Sequence, residues 1–401
     1  MSLYLYRHRL LRTIYPETIS FWSIYPLSIL FVLHTFLVVY VNSTYMEQYI
    51  SPELVGMLFF IGSAIAIIAF LSISYVLRAI GNLALSTILA LVNLTALLTL
   101  GYTTYAPLAI GAFLVFLVAN PLIFLCLDIF TESLIGDDES NTGKKRGLIL
   151  TLMASASVLG TILMGTIAGD DTDLSFVYYT AAGIFILFLL FLRTRFYSFK
   201  DPEYKIKKVR NSIKDIWSYR DMRYVVISHL LLQIFYTWMV IYFPMYLVRE
   251  IGMSWNEISI VIAIGLLAFV IFESPIGYIA DQYVGEKEMM AMGFLVLAIT
   301  SSWISFLISS AVIAWVVLMF ISRIGASLVE ATTESYFFKK IKGGDSDAIS
   351  FFRLLRPLSN MLGALTASIT LLFLPFNLMF IVLGIMMIPG IFISWQINDT
   401  K

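Results

Sequence analysis

The sequence predicts an all-α membrane protein of twelve transmembrane helices in two six-helix bundles, with both termini on the cytoplasmic side. Three observations predict it. The 401 residues are 60% hydrophobic and only 13% charged, with a mean hydropathy of +0.89, whereas a soluble domain is roughly half apolar and about a quarter charged. Twelve apolar stretches are long enough to cross the hydrocarbon core, which takes roughly 20 residues. The basic residues fall almost wholly on one side of the resulting topology.

The twelve spans are centred near Leu33, Ile65, Leu91, Leu117, Val158, Ile184, Met239, Ala268, Ala298, Phe320, Leu362 and Ile385. Lipid offers no partner for backbone polar groups, and the period-2 alternation of a membrane barrel is absent, so these segments are expected as helices. Ser51-Pro52-Glu53 opens the second span, and Ser254-Trp255-Asn256-Glu257 opens the eighth as a capping box. The ninth and tenth divide at Ser309, Ser310 and Ala311. Arg7, Arg9 and Arg12 precede an apolar stretch over 21–41. It exceeds the 7–15-residue core of a cleavable signal and lacks a small-residue cleavage site, which makes it a retained first span.

Basic and acidic residues number 26 each, a balance that points to no nucleic-acid partner. Their placement is informative. With a cytoplasmic N-terminus, 22 of the 26 basic residues fall in cytoplasmic segments, Arg249 alone falls on the opposite side, and Arg323, Arg353 and Arg356 fall within spans. Miscounting one span in either half would destroy this bias. The lone cysteine, Cys126, excludes an internal disulfide and a cysteine-based zinc cluster and reads as a small buried apolar residue. No metal site and no cofactor is expected.

Six spans precede residue 193 and six follow 223, giving an N-terminal bundle over 1–192, a linker over 193–223 and a C-terminal bundle over 224–401. Within the linker, Ile206, Val209, Ile213 and Ile216 recur at helical spacing among lysines and an arginine, the pattern of an amphipathic helix on the cytoplasmic face. The halves echo each other. Asp128-Ile-Phe-Thr-Glu132-Ser133 matches Glu330-Ala-Thr-Thr-Glu334-Ser335 at an offset of 202, and Gly62 with Gly265 and Gly160 with Gly363 repeat at 203. These matches point to a duplicated six-helix unit of the parallel-repeat type.

Between the eighth and ninth spans stands Gly277-Tyr-Ile-Ala-Asp281-Gln-Tyr-Val-Gly285-Glu286-Lys287. Taken with the twelve spans, the six-plus-six division and the central loop, it resembles the loop motif of the major facilitator superfamily, in which a Gly, an Asp four residues on and a second Gly with basic residues close a helix pair. Here the second Gly follows the Asp by four residues, and Glu286 stands where a base is expected. The first-half loop, Arg78-Ala-Ile-Gly81-Asn82, has no Asp. The resemblance assigns no subfamily. It implies a central cavity lined mainly by helices 1, 4, 7 and 10, with helices 3, 6, 9 and 12 as outer supports.

The ionisable residues give an independent reading of the same arrangement. They lie on span 1 (His34), span 4 (Asp128, Glu132), span 7 (His229) and span 10 (Arg323, Glu330, Glu334), with Glu273 on span 8 and Arg353 and Arg356 on span 11. Charges within spans are costly in lipid and so face protein or water. Arg323, Glu330 and Glu334 are spaced by seven and four, forming one stripe on a helix face, with Arg353 and Arg356 as expected counter-charges. This stripe reads either as a proton- or substrate-responsive cluster or as a salt-bridge gate. Asp128, Glu132, Glu334, Arg353 and Arg356 are taken as gate candidates together with Gly277, Asp281 and Gly285, and Arg323 and Glu330 as substrate or coupling candidates. Glu273, two turns from Asp281 beside Pro275, is a candidate coupling site or a structural partner of Arg323. His34, His229 and Gln233 complete the candidates, with Tyr236, Trp238 and Tyr242 as an amphipathic wall for an organic solute.

The function expected is secondary active transport of a small organic solute by alternating access, with protons as a possible coupling ion. The protein is expected to act as a monomer in the lipid of the cytoplasmic membrane. Span 5 lacks the Gly-Pro pair typical of the superfamily's drug antiporters, and Asp201-Pro202-Glu203 is a faint likeness to its sugar-transporter signature. A sensor or lipid-moving protein on the same scaffold is the alternative. A membrane-embedded enzyme finds no support, since no His-Glu-x-x-His, nucleophile elbow or phosphate-cradling loop is present.

Overall fold

The computed structural model describes residues 19–135, 139–169, 173–204, 217–279, 284–340 and 346–398, with the side chains of 135, 139–147, 273–274, 277–279, 338, 346–351 and 353 outside the description. The expected amphipathic helix at 206–216 and Asp281 lie outside the described residues. The long helices are α1 (Ile24–Val38), α2 (Pro52–Ile80), α3 (Asn82–Tyr102), α4 (Ala106–Ile135), α5 (Glu139–Ala168), α6 (Ser175–Arg195), α7 (Arg220–Tyr246), α8 (Trp255–Ile279), α9 (Glu286–Ile304), α10 (Val312–Lys340), α11 (Ser346–Phe373) and α12 (Met379–Ser394). Eleven helical stretches among the described residues are long and apolar enough to cross a membrane. The segment read as the eleventh span is helical as α11 but is not one of those eleven; Arg356, Ser359 and Asn360 interrupt the apolar character of its first half.

Local signals place the helix ends where the sequence put them. α2 begins at Pro52, whose missing N–H costs nothing in a first turn. The capping box at α8 forms, with the Ser254 amide donating to Glu257 Oε2 at 2.9 Å and the Glu257 amide donating to Ser254 Oγ at 3.4 Å. α9 ends at Ile304 and α10 starts at Val312, with the Trp315 indole donating to the Ser309 carbonyl at 2.7 Å across the turn. Ionisable groups on α6 and α9 are confined to their terminal turns, and α3 and α12 carry none.

The chain divides into two compact units, one of Met1–Val38, Ile68–Gly160 and Asp173–Ile206, the other of Val39–Ile67, Thr161–Thr172 and Lys207–Lys401. In the first unit α1 packs on α4 and α6, and α3 on α4 and α6. In the second, α7 packs on α10 and α12, and α9 on α10 and α12. The second set is the first advanced by six helices. The repeated glycines occupy equivalent crossings: a Cβ at Gly160 of α5 would lie 3.0 Å from the Leu33 carbonyl of α1, and one at Gly363 of α11 would lie 2.9 Å from Thr237 of α7. Lipid tails give helices little hydrophobic drive to associate, so small residues that let backbones approach mark such crossings.

The second unit also takes in two first-half segments. Ser368 of α11 donates to the Glu53 carbonyl at 2.8 Å, the Trp255 amide donates to the Gly169 carbonyl at 3.1 Å, and Arg249 pairs with Glu47 at 2.8 Å. First-half chain is thus fastened onto the starts of α8 and the ends of α7 and α11.

Candidate functional site

α7 is the interior helix of the second unit, with 67% of its apolar window buried against 28% for α2. It carries His229, Gln233, Tyr236 and Thr237 along its buried length. His229 Nδ1 lies 3.3 Å from Thr333 Oγ1 of α10, and its Nε2 lies 3.4 Å from Gln233 Nε2. The imidazole also lies against Phe352 of α11, at 4.3 Å between ring centroids and with the rings tilted by 37°. Thr237 donates to Asn360 Oδ1 of α11 at 2.8 Å.

Tyr236 links two of the three charged residues of the α10 stripe. Its hydroxyl donates to Glu330 Oε2 at 2.7 Å, while its ring lies 5.6 Å from the Arg323 guanidinium carbon. Phe235 presents a second ring to the same guanidinium at 5.7 Å. Arg323 is 3% exposed, and its Nη2 has no hydrogen-bond partner. The Arg323 stem passes beside Gly265 of α8, where a Cβ would lie 3.4 Å from Arg323 Cγ. Arg356 on α11 is near enough for its charge to act on both Glu330 and His229. Three helices therefore converge on one patch in which Arg323 and His229 are buried, Glu330 is half-buried and Arg356 is exposed at the edge.

The structure brings Arg323, Glu330, His229, Gln233 and Arg356 into this patch. Glu334 lies one turn further along α10, half-buried and engaged with partners of its own. The backbones of Glu273, Gly277 and Arg353 lie in α8 and α11, and their side-chain surroundings fall outside the described residues. In the first unit, His34 is fully buried, with Nε2 at 3.4 Å from Asn93 Nδ2 of α3 and its ring at 4.2 Å from Phe185 of α6. Asp128 and Glu132 sit on α4, each with partners.

Two contacts at the loop glycines involve residues the sequence did not single out for them. Gly81 and Gly285, at equivalent places, have positive φ of 80° and 112° and immediately precede α3 and α9. At Gly285 the following Glu286 is fully buried and accepts from Lys339 Nζ of α10 at 2.8 Å, so the base missing from the loop comes from another helix. At Gly81 the missing loop acid comes from beyond α6. Asp201 Oδ1 accepts from the Asn82 amide at 2.6 Å and from the Tyr204 hydroxyl at 2.5 Å, and Arg78 Nε donates to the Tyr204 carbonyl. The carboxylate thus caps α3 and meets its positive end. The Asp201-Pro202-Glu203 likeness was the only hint of this clasp. Asp201→Ala should destabilise the protein by about 1 kcal/mol, read as a lowered thermal midpoint, while Asp201→Asn should recover part of the loss.

Outside the spans, Glu47 is held above its ordinary carboxyl value of 4.5, chiefly by burial, with Glu53 and Glu250 pushing the same way against the opposing Arg249. A carboxyl raised on folding stabilises most below its unfolded value, and that contribution is lost as pH rises through the folded value. Glu47→Gln should therefore show a flatter thermal stability profile than wild type as pH rises through and above the carboxylate range. Parallel profiles would contradict this.

The second half of the chain, residues 225–400, matches the family model described as Major Facilitator Superfamily. A crystal structure of a mutant of the nucleoside transporter NupG is similar over 94% of this chain and 99% of its own, with a TM-score of 0.77 at 11% identity. The crystal structure of nucleoside transporter NupG without that mutation gives a TM-score of 0.69 at 11% identity, over 94% and 97% of the two chains. At such identity the likeness is one of fold. No curated protein matches.

Proposed function

We propose that this protein of the major facilitator superfamily is a proton-coupled secondary transporter, not an enzyme, that moves a small organic solute by alternating access. On this reading it has twelve crossings, as bundles 1–192 and 224–401 joined by the linker 193–223. Its termini are cytoplasmic, and it works as a monomer in the cytoplasmic membrane. The observation that carries the reading is the partly buried charged patch on α7, α10 and α11. Ionisable groups inside a span are costly in lipid and mark solute or ion paths, and here Tyr236 joins Glu330 to Arg323, while Arg356 acts electrostatically on both Glu330 and His229. The repeated pairings of α1, α3, α4 and α6 in α7, α9, α10 and α12 support a rocking pair of like bundles.

Glu330 is assigned the proton. It can take up a proton and keep its bond to Tyr236 with the direction reversed, since a neutral carboxyl donates where a carboxylate accepts. In proteoliposomes with an imposed pH gradient, wild type should accumulate solute, whereas Glu330→Gln should only equilibrate it, with an accumulation ratio of about one, while still exchanging solute for solute. Undiminished accumulation by Glu330→Gln would overturn this assignment.

A further inference from the structure

We infer that the solute carries a single negative charge on a small organic body, and that Arg323 holds that charge; this rests on the patch being the transport site. A buried guanidinium is costly unless an anion or several acceptors satisfy it. Arg323 is 3% exposed, yet its Nη2 has no partner. Glu330 on the same helix is near enough for the two charges to interact, but its hydrogen bond goes to Tyr236 and not to the guanidinium. The rings of Phe235 and Tyr236 support the cation from one side at 5.7 and 5.6 Å, which offsets part of the burial cost while leaving an N–H edge free. The guanidinium also acts electrostatically on Tyr40, a first-half residue.

The surroundings narrow the class. One free guanidinium edge matches one carboxylate, and the nearby Glu330 carboxylate disfavours a dianion such as phosphate. The rings of Phe235, Tyr236 and Phe269, the last at 6.1 Å from Tyr236, offer an apolar surface to an organic body rather than to a bare inorganic ion. A small monocarboxylate fits these constraints.

Thermal stabilisation of purified wild-type protein tests this with acid–amide pairs: acetate, lactate, butyrate, benzoate, phenylacetate and nicotinate, each against its amide. At least one acid is expected to raise the thermal midpoint while its amide does not. Arg323→Lys should weaken that effect, and Arg323→Gln should lower affinity by roughly 100-fold. No stabilisation by any acid, or equal stabilisation by acid and amide, overturns the inference, and this wild-type comparison decides even if Arg323→Gln fails to fold. Stabilisation that persists undiminished in Arg323→Gln also overturns it. If a neutral solute instead accumulates in proteoliposomes in a Glu330-dependent way, the transport reading stands and the anion assignment alone falls.

Discussion

Gly165→Leu should reduce solute flux to about a hundredth of wild type or less while leaving the protein folded. Gly165, near the end of α5, faces the start of α8 so closely that even a Cβ there would overlap the Ser259 side chain and lie 2.8 Å from the Trp255 carbonyl oxygen. That oxygen is backbone and cannot turn away. A leucine therefore prevents this end from packing as it does here, and a ~2.7 kcal/mol bias against one of two states is enough for a hundredfold loss of its population. Gly56 of α2 makes the matching close approach, against Tyr242, Ser368 and the Ala364 carbonyl oxygen at 3.0 Å. Alternating access requires the packed end to open and close in each cycle, so a variant confined to one state should not transport. Size-exclusion chromatography would confirm folding, and uptake by proteoliposomes would give the rate. Wild-type uptake by Gly165→Leu would mean that this packing is not part of the cycle.

The double variant Gly293→Leu, Gly325→Leu should fail to give a monodisperse folded protein. α9 and α10 cross with their backbones in near contact. A Cβ at Gly293 would lie 2.7 Å from the Gly325 carbonyl oxygen, and one at Gly325 would lie 3.1 Å from the Gly293 carbonyl oxygen. Each glycine occupies the space that the other's side chain would need. Overpacking a core position costs about 1–3 kcal/mol when neighbours can shift, and backbone oxygens on both sides leave no such room. The effect differs from that of Gly165→Leu because α9 and α10 lie in one compact unit, whose packing the proposed cycle leaves intact. A folded double variant detected by size exclusion would contradict this account of the crossing.

The helices and the α10 stripe were legible in the sequence because their causes are local. Apolar runs of sufficient length, the Ser254–Glu257 box and the spacing of Arg323, Glu330 and Glu334 are set by residues within a few turns of each other. The repeat was legible as well, and Gly160 and Gly363 do mark matching crossings. Contacts across long stretches of chain were not. Asp201 caps α3 from 119 residues away, and Lys339 reaches Glu286 from 53 residues away. Nothing near Gly81 or Gly285 signals which distant acid or base will arrive. Within the patch, the stripe on α10 shows that Arg323 and Glu330 share a face but not that Tyr236 stands between them. His34 illustrates the converse, since sequence places it on a candidate cavity helix and the structure sets it among Phe31, Phe185 and Asn93.

The most direct measurement is reversible cross-linking of the packed end. With Cys126 replaced by serine, Glu47→Cys and Arg249→Cys can be joined by a cleavable bis-maleimide of about the reach of the ion pair they replace. Alternating access predicts that uptake stops when the link forms and returns when it is cut. Full-rate uptake with the link quantitatively in place would contradict it.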